Sequence, residues 1–149
     1  MDKVIYVHYG DSEFRRPDPI INYDYPFTKP DGGLWASRKN GDMTWKDWCE
    51  IEEFRLDSFN CSFEFTLKNN ARVLELNSIE QLDTLPKLKG FEQWFDKENS
   101  FSICYLNFTE LAKLYDAIEV TDIHKLYFAL YGWDCNSILI MNPDVVEVL

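Results

Sequence analysis

The apolar residues of this chain come in short bursts, each stopped by a turn-forming residue before it could become a long helix. "KVIYVHYG" ends at Gly10, "GGLWAS" is entered through Gly32 and Gly33, and "ARVLELN" follows the Asn69-Asn70 turn. In "SFEFTL", Phe63, Phe65 and Leu67 alternate with Ser62, Glu64 and Thr66, the period of a strand with one buried side. β-branched and aromatic residues fill most of these runs, which suits a pleated surface. With "KVIYVHYG" at one end and "SILIMNPDVVEV" at the other, strands are expected near both ends of the chain, and a further one through Ala117, Ile118 and Val120.

Helices are predicted between the strands. Thr44 opens one, because T-W-K-D has capping-box spacing and Trp45, Trp48 and Cys49 follow at i, i+3 and i+4 on a face expected to pack the core. Ser78 heads a second, with Gln81 three residues on and Pro86 limiting it to about two turns. One or two more lie between Gly90 and Tyr115. Around the polar turn Gly132 to Asn136 a β-hairpin is favoured, with "IHKLYFAL" open to a helical reading. These elements make an α+β chain, and 149 residues suit a single domain spanning 1–149.

Charge narrows the functions. Fifteen basic against 26 acidic residues give a formal net charge of -11, a field that opposes phosphate backbones and anionic membrane surfaces. Direct nucleic-acid binding is not expected; a basic protein partner is compatible with this sign. No run of 18 apolar residues occurs, and "MDKVIYVHYG" lacks the apolar stretch of a signal peptide, so neither a membrane span nor secretion is expected. Cys49, Cys61, Cys104 and Cys135 are widely spaced, with only His8 and His124 to join them. Structural zinc lacks its paired ligands, and the chain reads as cytoplasmic with reduced thiols.

Phosphate-loop, hydrolase-elbow and zincin motifs are all absent from the sequence. What remains is an arrangement. His8 stands near the end of the first strand, and "DSEFRRPDPIINYDYPFTK" forms a long loop carrying Arg15 and Arg16. The Gly-Gly-Leu-Trp-Ala-Ser strand comes next, and Asp134 precedes the closing apolar strand. A flat cationic ring on a ribose asks for such groups: a histidine for hydroxyls, an aromatic face for the ring, a carboxylate for developing positive charge. Each also has a plain structural reading, since Asp in a Gly-Trp-Asp-Cys-Asn turn can bond its own backbone and Glu119 can sit on the solvent side of a strand.

"VIYVHYG", "GGLWAS" with its following amphipathic helix, "YDAIEV" and "NSILIMNPDVVEV" together resemble the order of elements in the ADP-ribosyltransferase fold, in the branch of the poly-ADP-ribose polymerases and diphtheria toxin. The resemblance implies a compact domain of two small, mainly antiparallel sheets flanked by short helices, with NAD in the cleft between them. It implies a cofactor site of His8, Tyr9, Gly10, Gly33, Trp35 and Ser37. In that site His8 takes the hydrogen bond of the nicotinamide ribose or of the adenosine, Trp35 packs on nicotinamide and Ser37 supplies the supporting hydroxyl. The catalytic acid is then Asp134 or Glu119. Two departures stand out: Tyr9 separates His8 from Gly10, and Ser137 begins the closing strand where the branch has glutamate. The implied activity is mono-ADP-ribosylation of a cellular or host acceptor, as a phage or mobile-element effector would perform. The alternative is a non-catalytic acidic protein that docks on, and inhibits, a basic nucleic-acid-binding partner.

Overall fold

The computed structural model describes residues 3–149. Among these residues are seven strands: β1 (Tyr6–Tyr9), β2 (Leu34–Arg38), β3 (Ser62–Leu67), β4 (Val73–Leu76), β5 (Ala117–Val120), β6 (Ser137–Ile140) and β7 (Val146–Val148). They are hydrogen-bonded in the order β4-β5-β6-β2-β1-β3-β7, with β4 and β5 parallel and every other pair antiparallel. The architecture is α+β as expected, but the strands join in one mixed sheet where two small sheets were predicted. The join is narrow. β1 meets β2 through only Tyr6 opposite Arg38 and Val7 opposite Ser37, whereas β1 pairs with β3 over four residues.

Both sides of the sheet are covered, which explains the unbroken apolar run from Ile138 to Met141 that follows Ser137 in and beyond β6. Leu139 faces a core with Ile118, Leu126, Leu130 and Trp133, while Ile138 and Ile140 face the other side with Phe65, Ala117 and Val145. A strand buried on both sides needs apolar residues at every position rather than at alternate ones. Each fully buried Leu or Ile contributes roughly 1.5–3 kcal/mol against exposure.

The described residues form three short α-helices: α1 (Trp45–Glu52), α2 (Phe108–Leu114) and α3 (Ile123–Leu126). The predicted capping box of α1 is present, with Asp47 N–H donating to Thr44 Oγ1 at 3.3 Å and Thr44 N–H to Asp47 Oδ2 at 3.0 Å. The segment after Ser78 is a 3-10 helix, Ile79–Thr84, whose entry is held by Ser78 N–H donating to Gln81 Oε1. The hairpin expected around Gly132 does not form. Leu126, Ala129 and Leu130 recur at helical spacing, all are buried, and Leu130 N–H donates to the Leu126 carbonyl at 2.8 Å, so α3 and its turns win over strand pairing. Among the described residues no helix is long and apolar enough to cross a membrane.

Candidate functional site

The narrow β1–β2 junction has a cause in the sequence. Continuing that antiparallel register would bring His8 opposite Ala36, but ladder pairing stops, and His8 Nδ1 lies 2.7 Å from the Trp35 carbonyl oxygen instead. The imidazole bridges strands that have begun to part. Its other nitrogen, Nε2, lies 3.1 Å from Asp11 Oδ2, and the ring rests on Phe63 with centroids 5.1 Å apart. Three contacts fix its orientation.

Where β1 and β2 part there is a cavity of about 290 Å³, lined by His8 and Tyr9 of β1, Trp35 and Ser37 of β2, Trp45 of α1, and Trp133, Asp134, Cys135 and Ser137 on the approach to and at the start of β6. Lys29 and Arg55 add two cations to its wall. That volume suits a ring with its sugar, near the lower end of small-molecule sites, roughly 300–1,000 Å³.

Trp35 and Ser37 are two apart on β2 and therefore share a side of the sheet. The Trp35 ring meets Trp133 edge-on, with centroids 4.7 Å apart at 74°, and Trp133 is held by its indole N–H donating to the Thr28 carbonyl at 2.6 Å. Lys29 Nζ sits 5.5 Å from the Trp35 ring centroid, so the indole face already receives a positive charge. Ser37 does structural work: its hydroxyl donates to the Asn136 carbonyl and accepts from Trp45 N–H, both at 3.0 Å, tying β2 to the turn before β6 and to the start of α1.

Trp45 and Trp48, expected in the core, are only half-buried. They stack on each other, centroids 5.2 Å apart at 14°, and both meet Phe54, while Cys49 makes the buried contact of α1. The eight-residue helix buries one small residue, Cys49, and of its two indoles Trp45 lines the cavity while Trp48 stacks behind it.

The two candidate acids are in different places. Asp134 lines the cavity, and among the described residues its carboxylate has no hydrogen bond or ion pair. Glu119 is buried on β5 and fully engaged: Arg38 donates to it from Nε at 2.8 Å and from Nη2 at 3.0 Å, and the Tyr6 hydroxyl donates at 3.0 Å. Burial, then the Glu119 charge, pushes the Tyr6 hydroxyl pKa upward, while the Glu119 hydrogen bond raises that of Arg38. Glu119 faces a second, smaller recess of about 200 Å³ with Arg38, Asn40, Thr44 and Asn136, apart from His8 and Trp35.

The two glycines assigned to the cofactor lie outside the cavity lining. Gly10 turns the chain at φ 108°, its N–H donating to the Cys61 carbonyl at 3.0 Å. Gly33, at φ 77°, permits close packing, since a Cβ there would stand 2.7 Å from Leu139 Cδ1 and 2.9 Å from Ile20 Cδ1. Thiol chemistry is disfavoured at the site, because burial pushes the Cys135 thiol up to about 12. Among the described residues no three His, Cys, Asp or Glu side chains gather as a metal site.

Sequence reasoning thus reached His8, Tyr9, Trp35, Ser37 and Asp134, and missed Trp45, Trp133 and Arg55 as cavity walls. Trp133 carried a signal, its adjacency to Asp134; Arg55 carried none, because a left-handed φ of 48° is what turns the chain there. No family model, curated protein or solved structure matches the chain.

Proposed function

We propose that the cavity binds NAD and that the chain is a cytoplasmic mono-ADP-ribosyltransferase. The supporting observation is that Asp134, an unengaged carboxylate, lines the same cavity as His8 and Trp35, about 100 residues away in sequence. On this reading the parting of β1 from β2 corresponds to the division between the two small sheets of the ADP-ribosyltransferase fold.

The chemistry follows from the groups present. Cationic nicotinamide stacks on the Trp35 face in place of Lys29, whose ammonium is then free for the diphosphate with Arg55. His8, with Nδ1 held by the Trp35 carbonyl, exchanges the exposed Asp11 carboxylate at Nε2 for a ribose hydroxyl. As the bond from ribose C1′ to the nicotinamide nitrogen breaks, its electron pair leaves with nicotinamide and positive charge grows on C1′ and the ring oxygen. Asp134 stabilises that charge. The acceptor's lone pair then bonds C1′, and the acceptor loses its proton. Placing a charged group where charge develops is worth about 100–1,000-fold in rate.

The test is transfer from NAD labelled in its adenylate part to proteins of a cell extract. Asp134→Asn should lower transfer about 100-fold or more and keep the wild-type melting temperature and NAD-induced thermal shift. If wild-type protein shows no transfer, no NAD hydrolysis and no shift with NAD, the transferase reading fails.

A second reading, a non-catalytic acidic protein that occupies and inhibits a basic partner, is favoured by the net charge of -11 together with many exposed aromatic side chains. It expects salt-sensitive complex formation on which NAD has no effect.

A further inference from the structure

Two chain segments bring aromatic side chains to the surface and then run directly into the cavity wall. In the first, Tyr23, Tyr25 and Phe27 cluster with centroids 5.4–5.9 Å apart, Tyr25 being 58% exposed, and Lys29 follows two residues on. In the second, Tyr127 meets Phe128 at 5.2 Å and Tyr131 at 5.9 Å, Phe128 meets Phe101 at 4.9 Å, and Trp133 follows Tyr131 by two residues. The segments are tied side by side: Thr28 Oγ1 donates to the Tyr131 carbonyl, and the Trp133 indole N–H donates to the Thr28 carbonyl. Seven exposed aromatics therefore flank the approach to one cavity.

Surfaces of this kind mark interaction sites more often than chance exposure does. Their charge says what they suit. Residues 17–28 contain Asp18 and Asp24 and no Lys or Arg, and residues 126–137 contain Asp134 and no Lys or Arg. Lys29, just after the first segment, sits over the Trp35 ring inside the cavity wall, and Lys125, just before the second, is paired with Asp122 at 3.6 Å. Aromatic faces with neighbouring carboxylates attract guanidinium and ammonium groups.

We propose that this aromatic surface docks a polypeptide segment bearing arginine or lysine. The transferase reading is needed only to name that segment as the ADP-ribose acceptor; docking itself stands without it. Tyr25 and Tyr131 hold Arg or Lys side chains of the segment by cation-π contact, and the docked segment lies beside the mouth between Lys29 and Trp133.

Binding of a fluorescein-labelled arginine-rich peptide tests this by anisotropy, beside a glutamate-rich peptide and a mixed-sequence single-stranded RNA. The variants are Tyr25→Ala with Tyr131→Ala and, as a control, Val148→Ala on edge strand β7, which is also exposed. Both tyrosines are at the surface, so wild-type melting is expected. The inference expects the basic peptide to bind, the double tyrosine variant to lose about tenfold or more, and Val148→Ala to match wild type, with no binding of the glutamate-rich peptide. It is overturned if the basic peptide does not bind, if the tyrosine changes leave its affinity unchanged, or if RNA binds more tightly. NAD-induced thermal shift of the same samples reports separately on the transferase reading.

Discussion

Arg38 holds both carboxylate oxygens of Glu119, Nε to Oε2 at 2.8 Å and Nη2 to Oε1 at 3.0 Å, linking the two strands, β2 and β5, that flank β6. The pair is lopsided in its access to water, the Arg38 side chain being 41% exposed and that of Glu119 6%. Removing the arginine strands a buried charge, so Arg38→Met should cost about 3–5 kcal/mol. Glu119→Gln leaves a cation that water can reach and should cost about 1–2 kcal/mol. Urea titrations of the two variants measure the difference, and equal costs would contradict it.

Acid should expose a different pair. Burial pushes the Asp116 carboxyl up, but the Arg72 guanidinium and backbone N–H, with the Asn142 amide, outweigh it and hold the pKa below the ordinary value. A carboxyl depressed on folding contributes stability that is complete above its unfolded value of about 3.9 and is lost as pH falls through the lower folded value. The urea midpoint of wild type should therefore drop on acidification below about pH 4. Asp116→Asn should start lower and lose less over the same range.

The glycines separate by what surrounds them. At Gly33 an added methyl meets Leu139, Ile20 and the Ile140 carbonyl within 3.0 Å and also forces φ 77° on an L-residue, so Gly33→Ala should cost about 2–5 kcal/mol. At Gly10 nothing lies within 4 Å, leaving only the backbone strain of about 1–2 kcal/mol for Gly10→Ala. Thermal melts of the two variants rank them.

Thiol labelling should see one site. Cys61 is exposed, whereas Cys49, Cys104 and Cys135 are buried, and burial carries Cys104 and Cys135 up to about 12. Iodoacetamide near neutral pH should modify Cys61 alone in native protein, and all four cysteines in denaturant, as read by intact mass. Rapid native labelling of Cys135 would reopen a thiol role in the cavity.

Local rules read well where a residue's neighbours are close in sequence. Thr44 with Asp47 and the inward Phe63 and Phe65 depend only on spacing and appear as expected, whereas at the end of β3 the alternation lapses, Thr66 being buried and Leu67 only partly so. The failures arise where distant partners decide. Trp45 and Trp48 have helical spacing for a core, yet only Cys49 of this helix is buried, and the two half-buried indoles stack on each other with Trp45 in the cavity wall. Glu119 looks like a strand's solvent-facing acid or a catalytic one until Arg38, 81 residues away, comes to meet it. Joining the strands into one sheet rests on two residue pairs, Tyr6 with Arg38 and Val7 with Ser37, which no periodicity announces.

Strand β6 lies between β5 and β2, and it is the sixth of seven strands in chain order. During translation, β1 to β5 leave the ribosome without the strand that links β4 and β5 to the rest. Asp134 and Trp133 also emerge late, immediately before it. A nascent chain therefore has no complete cavity until residue 140 is clear of the exit tunnel. A product that stops before β6 lacks both Ser137 and the strand that holds Trp133 and Asp134 in place, and so carries no complete cavity.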